Sequence, residues 1–551
     1  MLDTAKRAVI PLTAAGASLL ALLLSGRNQA WLWLLVVTLP IIAIGLYDWL
    51  QKRWTITRNY PVAGRIRWLF YDLRPYLRAY IVEDDLSGTP FSFDARNLVH
   101  ARARGKTDTH PFGTERDTDN EAYHWLLHSI APASDPDPDP RVLVGNDQTR
   151  QPYSASVLNV SAMSFGALSA NAVRAMNLGA KLGGFYQDTG EGGVSDHHLS
   201  YGGDLVWELG SGYFGARQAN AEFDPEKFRE RASLDCVKMT EIKLSQGAKP
   251  GHGGLLPAAK VTEEIARVRG VPAYQDCLSP RGHSAFDSPA GMLEFAARMR
   301  DLSGGKPVGI KLCVGQRHEV FAIAKAIIAT GITPEFIVID GGEGGTGAAP
   351  LELSDWVGMP LTEGLLLMRN ALVGCGLKSK IRLAASGKVY SGMGLARNTA
   401  IGADWCNAAR AFMFSVGCIQ AQRCHLGTCP TGVTTQNPAR QRGLVPEIQG
   451  ERAARFHSKT IGAFVDMLAA AGLGHPGELR PHHLMHRSGP EKATSMDRIH
   501  PFLPEGILLQ APEETIYADW WAAAHIDSFK PITDLSSQRA IHRAENTRLT
   551  E

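Results

Sequence analysis

Three scarcities narrow what this 551-residue chain can be. Eight cysteines are too few for a disulfide scaffold at this length, so a reduced compartment is expected. Neither sign of charge is in surplus: 57 Lys and Arg against 55 Asp and Glu leave a net +2. That balance removes the electrostatic case for a nucleic-acid partner. Charge is also missing altogether from residues 8–25 and 30–47, separated only by 26–29.

Each of those runs is near the lower length for crossing a bilayer core of about 30 Å. A cleaved leader is the alternative for the first run, because Lys6 and Arg7 precede it, but the second run follows at once. The expectation is a two-helix transmembrane hairpin over residues 1–53. Lys6 and Arg7 flank one end, Lys52, Arg53 and Arg58 the other, and the short loop carries only Arg27. This bias predicts an inner (cytoplasmic) membrane protein whose remaining chain faces the cytoplasm. Trp31, Trp33, Trp49 and Trp54 suit the lipid interface.

The rest of the chain has what a globular protein needs, 44% apolar and 20% charged residues. Residues 54–150 form an aromatic-rich connector, with tracts such as Arg67-Trp-Leu-Phe-Tyr-Asp72, expected to pack on the main domain. Asp135-Pro-Asp-Pro-Asp-Pro140 is the clearest stiff linker. Short apolar runs ending in glycine-rich loops follow, at 156–161, 184–187, 205–209, 237–243, 308–312, 336–339, 381–384 and 404–408. Helical stretches such as 168–182 and 320–330 lie between them. Eight such steps predict an α/β fold, a (β/α)8 TIM barrel over 151–460, with a doubly wound sheet as the alternative. Residues 461–551 are expected to be a helical extension, disordered over 536–551.

Chemistry in a barrel belongs at the carboxyl ends of the strands. The unusual segments fall there: Ser161-Ala-Met-Ser-Phe-Gly-Ala-Leu-Ser169, Thr189-Gly-Glu-Gly-Gly193, Ser211-Gly-Tyr-Phe-Gly215, Glu241-Ile-Lys-Leu-Ser-Gln-Gly-Ala-Lys-Pro-Gly251, Asp340-Gly-Gly-Glu-Gly-Gly-Thr-Gly347 and Ser386-Gly-Lys-Val-Tyr-Ser-Gly392. Glycines let backbone amides approach a planar or phosphorylated ligand. The fingerprint G-x-G-x-x-G at 342–347 lacks a following helix and a ribose-binding acid, so it does not predict a dinucleotide site. Lys243 and Lys311, on separate strand ends, are candidate cations for a flavin or a dicarboxylate; a surface lysine is the bland alternative.

Cys418, Cys424 and Cys429 crowd into twelve residues, with Pro430 after the last. Three thiolates so spaced suit an iron–sulfur cluster. Zinc with His425 as fourth ligand, or three buried structural cysteines, remain open on spacing alone.

Taken together, the motifs resemble the FMN and iron–sulfur synthase domain of glutamate synthase large subunits, over residues 161–456. The similarity rests on Ala162-Met-Ser-Phe-Gly166, Thr189-Gly-Glu-Gly-Gly193, Ile242-Lys with Gln246-Gly-Ala-Lys-Pro-Gly251, Gly344-Gly-Thr-Gly347 and Cys424-His-Leu-x-Thr-Cys429-Pro-x-Gly432. The resemblance implies a barrel that holds FMN beside a [3Fe-4S] cluster and reduces the imine of 2-oxoglutarate and ammonia to glutamate. By matching positions, Cys418, Cys424 and Cys429 would hold the cluster. Lys243, Gln246, Lys249 and Glu191 would line the flavin and oxoacid site. Met163, Ser164 and Ser211 would contact flavin, Lys311, Gly344 and Gly345 would join them, and Gly387 and Gly392 would face its phosphate.

Departures cluster on the substrate side. The family's Ser-Pro-Pro-Pro-His-His-Asp is Ser279-Pro-Arg-Gly-His-Ser-Ala285 here, and its Gly-His-Asp-Gly-Gly-Thr-Gly is Gly341-Gly-Glu-Gly-Gly-Thr-Gly347. Its Gly-Thr-Ala on the last strand is Ala409-Arg-Ala411, which places Arg410 as a phosphate-side cation. Neither a glutamine-hydrolysing domain nor an NAD(P)H or FAD site is recognisable. An external electron donor is therefore expected: a ferredoxin, a reductase subunit or a membrane redox partner. Two other readings stand beside this one: a transferase subunit resembling N-methylglutamate synthase, and a non-catalytic redox or scaffold module of a membrane complex.

Overall fold

The computed structural model describes residues 8–532. Lys6, Arg7 and the tail 536–551, on which parts of the expectations rest, lie outside the described residues. The chain divides into two compact units, Met1–Phe93 and Asp94–Glu551. The boundary falls inside the stretch expected to be one connector.

In the first unit, helices α1 (Val9–Ser25) and α2 (Trp33–Leu50) are joined by a 3-10 turn over Gln29–Leu32. They meet through small and polar groups. Ala14, Ser18 and Ala21 of α1 and Thr38 and Gly45 of α2 are buried, the Ser18 hydroxyl donates to Thr38 at 2.6 Å, and a Cβ on Gly45 would stand 2.6 Å from Pro11. The large apolar side chains point outward instead, Leu19, Leu23, Val36 and Leu46 among them. That is the inverse of a water-soluble helix pair. Among the described residues, only Gln29–Leu50, at 22 residues, has spanning length; α1, at 17 residues, reaches about 25 Å at 1.5 Å per residue. The expected hairpin is thus one helix long enough to cross and one shorter apolar partner. A third helix of this unit, α3 (Ile66–Leu77), carries the tract 67–72 and buries none of its residues within the unit.

The second unit is built on eight parallel strands closed into a barrel. They are β1 (Leu158–Val160), β2 (Gln187–Asp188), β3 (Leu205–Leu209), β4 (Val237–Lys243), β5 (Val308–Leu312), β6 (Phe336–Asp340), β7 (Arg382–Ser386) and β8 (Trp405–Ala408). All eight fall on or within a residue or two of the runs expected from sequence, and strand order follows chain order, which excludes the doubly wound sheet. The longer helices around them are α4 (Ala170–Gly183), α5 (Pro225–Ala232), α6 (Pro289–Leu302), α7 (Arg317–Thr330), α8 (Leu361–Gly374), α9 (Gly392–Ala400) and α10 (Pro446–Ala470).

Period-two alternation sorts the strand side chains. Leu205, Trp207, Leu209, Ile242 and Val308 pack outward on Phe228 of α5 and on Phe295 and Met299 of α6. Val206, Met239, Phe336, Val338, Ala384 and Trp405 fill the interior, sealed by Val144, Tyr153 and Ala155 from an antiparallel pair, Arg141–Val144 with Tyr153–Ser156. One floor of the barrel is therefore apolar and plugged, which leaves the carboxyl ends of the strands for chemistry.

Two of the expected regions take a specific form. The stiff proline-rich linker 135–140 is bonded into the fold: Asp137 N–H donates to Gly474 O at 2.9 Å, and just before the segment Ala133 N–H donates to Ala469 O at 2.9 Å. Prolines remove donors and fix φ, but the intervening amides still find acceptors at the end of α10. The region after α10 is not simply helical. Leu484–Gly489 and Lys492–Ser495 form an antiparallel hairpin that adds His124–Leu126 as a third strand, because Pro490 and Gly489 turn the chain there.

Candidate active site at the barrel mouth

The loops after β1 and β2 lie directly on one another. A Cβ at Gly190, whose φ is +63°, would stand 2.5 Å from Ser164 N and 2.8 Å from the Met163 carbonyl carbon, so only glycine fits. This contact carries Glu191 into the mouth. On β4, Ile242 faces the outer helices, so the next residue, Lys243, turns inward. Its ammonium lies 3.0 Å from Glu191 Oε2 and donates to Gln246 Oε1 at 2.9 Å. Lys249 Nζ donates to Ala348 O at 3.2 Å. The loops after β4 and β6 interlock at Gly247, whose N–H donates to Asp340 Oδ2 at 2.9 Å and whose Cβ, if present, would sit 1.8 Å from Gly341 O.

Beside these residues is a small polar cleft, lined by Glu191, Ser211, Lys243, Gln246, His252 and Arg281 among others. Ser211 Oγ donates to Pro280 O at 2.6 Å, which ties the loop after β3 to the segment that departs from the family pattern. In that segment the His283 Nε2 is 2.8 Å from Lys243 O. Arg269 Nη2 donates to Ser164 Oγ at 3.3 Å and Phe165 O at 3.2 Å.

Charge in this cluster is strongly biased. Burial alone would raise the Glu191 carboxyl, but Lys243, with Arg269 and Lys249, outweighs it and holds the group at about 2. Burial lowers Lys249, with Glu191 opposing, and pushes His283 down to about 4, so that imidazole is neutral at pH 7. The result is a fixed carboxylate between cations, open to a cleft.

Across the mouth, Arg410 Nη2 donates to Glu343 O at 2.9 Å, and a Cβ on Gly345 would meet Arg410 Nε at 2.8 Å. Gly344 N–H donates to Gly341 O at 2.8 Å. Lys388, in the left-handed region at φ +49°, is close enough to Arg410 for the two charges to interact. Burial lowers Lys388, Arg410 lowers it further and Glu343 opposes both. Gly387 lies beside Glu343, its nearest neighbours being Leu361 and the Glu343 carboxyl. Gly392 is elsewhere: its Cβ would stand 2.9 Å from Phe464 N, so it is required by packing of α9 on α10.

Lys311 differs from its expectation. It is the register partner of Lys243 and likewise points inward, but its ammonium is bonded to Glu208, with Asp188 and Glu241 close by. Glu208, Asp340, Glu241 and Asp188 all act on its charge, so it is engaged by carboxylates of the chain itself. Asp188, Glu208 and Glu241 offer oxygens within 4.8 Å of one another; among the described residues this is the one His, Cys, Asp or Glu group so close.

The thiols of Cys418, Cys424 and Cys429 share one loop after β8 and interact electrostatically. Burial raises Cys418 to about 12, whereas at Cys429 the hydroxyls of Thr431 and Thr434 outweigh burial and lower the thiol. Lys260 Nζ donates to Cys424 O at 3.0 Å, and its charge reaches both Cys424 and Cys429. A tetrahedral zinc with Zn–S of about 2.3 Å needs sulfurs roughly 3.8 Å apart. These three thiols do not all lie within 4.8 Å of one another.

The cations also fit a flavin phosphate: Lys388 and Arg410 follow β7 and β8, where barrels of this kind bind phosphate. Sequence reading missed Lys388, Glu343, Arg269 and His283. Lys388 stood inside a quoted motif and had a signal. Arg269 closes a short helix far from any motif and had none.

Residues 133–474 match the conserved region in glutamate synthase. The chain is 34% identical over 85% of its length to the glutamate synthase large subunit-like protein YerD of Bacillus subtilis, covering 97% of that protein. It is 33% identical, over 58% of its length, to the archaeal glutamate synthase [NADPH] of Methanocaldococcus jannaschii, and spans 60% of that relative. Among solved structures it is similar to a mutant flavocytochrome b2 with pyruvate bound, at 13% identity, 77% of this chain, 89% of that one and a TM-score of 0.41.

Proposed function

The chain belongs to the glutamate synthase family, and from that premise we propose that it is an FMN- and [3Fe-4S]-dependent oxidoreductase of glutamate synthase type. Its substrate in this reading is the imine formed from 2-oxoglutarate, or a related oxoacid, and ammonia. The observation that carries the proposal is the group of buried Lys243 with half-buried Glu191 and Gln246, drawn from two strand ends into one cleft at 2.9–3.0 Å, with Lys249 on the same loop.

FMN, when bound, supplies the two-electron chemistry. The chain's own residues divide the remaining work. Lys243 and Lys249 offer cations to a dicarboxylate, and Gln246 fixes the direction of the Lys243 ammonium. Glu191 holds the Lys243 side chain in place. Met163, Ser164 and Ser211 form the wall of loops expected to touch the isoalloxazine, while Lys388 and Arg410 are the candidates for its phosphate, with Gly344, Gly345 and Gly387 in the backbone beside them. Cys418, Cys424 and Cys429 would carry the cluster that receives electrons from an external donor. The apolar helices of the first unit support anchoring to a membrane.

The test is anaerobic: reduce the purified protein with dithionite and add 2-oxoglutarate with ammonium. Flavin reoxidation with one equivalent of glutamate formed is the expected result. Bound flavin that stays reduced would sink the synthase reading and favour methylamine transfer or a silent redox module.

A further inference from the structure

Helix α3 is two-faced, and nothing in the first unit covers its apolar face. Ile66, Leu69, Phe70, Leu73 and Leu77 recur at intervals of three and four, so they share one side. Arg67, Arg74 and Arg78 line an adjoining edge, next to Tyr71. Ile66, Leu69 and Phe70 are each more than half exposed, and no residue of the helix is buried. After Pro75 the chain continues as a single π turn, Arg78–Val82, that leaves Ile81 and Val82 about three-quarters exposed. A soluble monomer rarely leaves a contiguous apolar surface of this extent in water.

The start of α3 is bolted to the end of α2. Asp48, only 1% exposed, receives Arg65 Nη2 at 2.6 Å, Arg65 Nε at 2.9 Å and Val62 N–H at 3.0 Å. Gly64 rests on the backbone of Ile56 and Thr57, with 2.9 Å to a Cβ there. The rings of Trp54 and Trp68 meet edge to face at 5.2 Å. These contacts hold α3 at the level where α2 ends in Trp49 and Leu50, followed by Lys52 and Arg53. In a membrane-crossing α2, that level is the headgroup layer. Lys52, Arg53, Arg58, Arg67 and Arg74 make this layer strongly cationic.

We propose that α3 lies flat in the headgroup plane of an anionic bilayer, its apolar face in the acyl boundary and its arginines on lipid phosphates. It would be a third, non-spanning membrane contact. The proposal rests on the reading of α1 and α2 as membrane helices. Its occupant is a lipid surface because α3 is tied to the end of α2, because the outer faces of α1 and α2 are also apolar, and because Arg67, Arg74 and Arg78 line one edge of its apolar face.

The test places a fluorescent amino acid at position 70, or at position 39 in α2, in the full chain reconstituted into phosphatidylcholine vesicles with or without phosphatidylglycerol. Lipids carrying quenchers at shallow or deep positions report depth. The expected result is deep quenching at 39 in both lipids, and shallow quenching at 70 that is several-fold stronger with phosphatidylglycerol. Arg67→Glu with Arg74→Glu should abolish that gain and leave position 39 unchanged. Quenching at 39 with none at 70 overturns the interfacial helix while the membrane reading stands. No quenching at either position overturns both. Crosslinking between copies through position 70, without quenching, would make the face a protein contact and overturn the lipid assignment.

Discussion

The Lys311 ammonium on β5 is bonded to the Glu208 carboxylate on β3, inside the barrel, with Asp188 hydrogen-bonded to Glu241 beside them. One cation among three buried carboxyls cannot neutralise them all. Burial first, then Glu208, raises Asp188; burial first, then Asp188, raises Glu241 well above the usual carboxylate range. The pair therefore retains a proton that its unfolded counterparts would lose.

The sign of the pH dependence follows. Above the ordinary carboxylate range the native state binds more protons than the unfolded chain, so stability falls as pH rises through the raised native pKa. Asp188→Asn removes that ionisation. The variant should lose less stability between pH 5 and pH 8 than wild type, by on the order of 2 kcal/mol, measured by urea unfolding at both values. Equal slopes would show that the pair is ionised already at pH 5.

Removing the cation has the opposite consequence. Lys311→Met leaves buried carboxyls without compensation and should cost about 3–5 kcal/mol at pH 7. Part of that loss should return at pH 5, where the carboxyls protonate. A loss that is independent of pH would assign the effect to packing.

Glu191 is the reverse case, a carboxyl held low by Lys243. Its contribution is present above the unfolded pKa of about 4.3 and lost as pH falls through about 2. Glu191→Gln should therefore unfold at acid pH with a shallower limb than wild type. In the proposed reaction, Lys243→Gln should lower kcat/KM for 2-oxoglutarate at least about 100-fold, near 3 kcal/mol, with flavin still bound. Full activity in that variant would remove Lys243 from the site.

Arg410 and Lys388 assign the phosphate side. Arg410→Ala should weaken FMN binding about 10-fold or more, as loss of a charged hydrogen bond does, seen as free flavin after gel filtration. Gly392→Ala should instead destabilise the fold by displacing α10, leaving flavin affinity in the surviving protein unchanged. Cys418→Ser should abolish the cluster's EPR signal and most acid-labile sulfide while leaving the flavin spectrum in place.

The eight strands were legible because each couples a short apolar run to a glycine-rich end, and because closing a barrel needs only repetition of that unit. Glu191, Lys243 and Gln246 were legible as residues, through their motifs. Their pairing was not: nothing along the chain says that the loop after β2 reaches the end of β4, which depends on Gly190 resting on Ser164. Lys243 and Lys311 look alike in sequence, each near the end of a strand.

What the sequence determined by itself was periodic and local: which runs form strands, which loops carry glycine, and which stretches lack charge. The tertiary structure alone decided where the charges go. Lys243 meets one carboxylate open to a cleft, and Lys311 meets carboxyls sealed in the barrel, because each partner comes from a strand two places away in the closed sheet, reached across the barrel interior. It also decided that α3 keeps its apolar face uncovered within the first unit, since helix period predicts amphipathicity but only packing tells whether anything covers it.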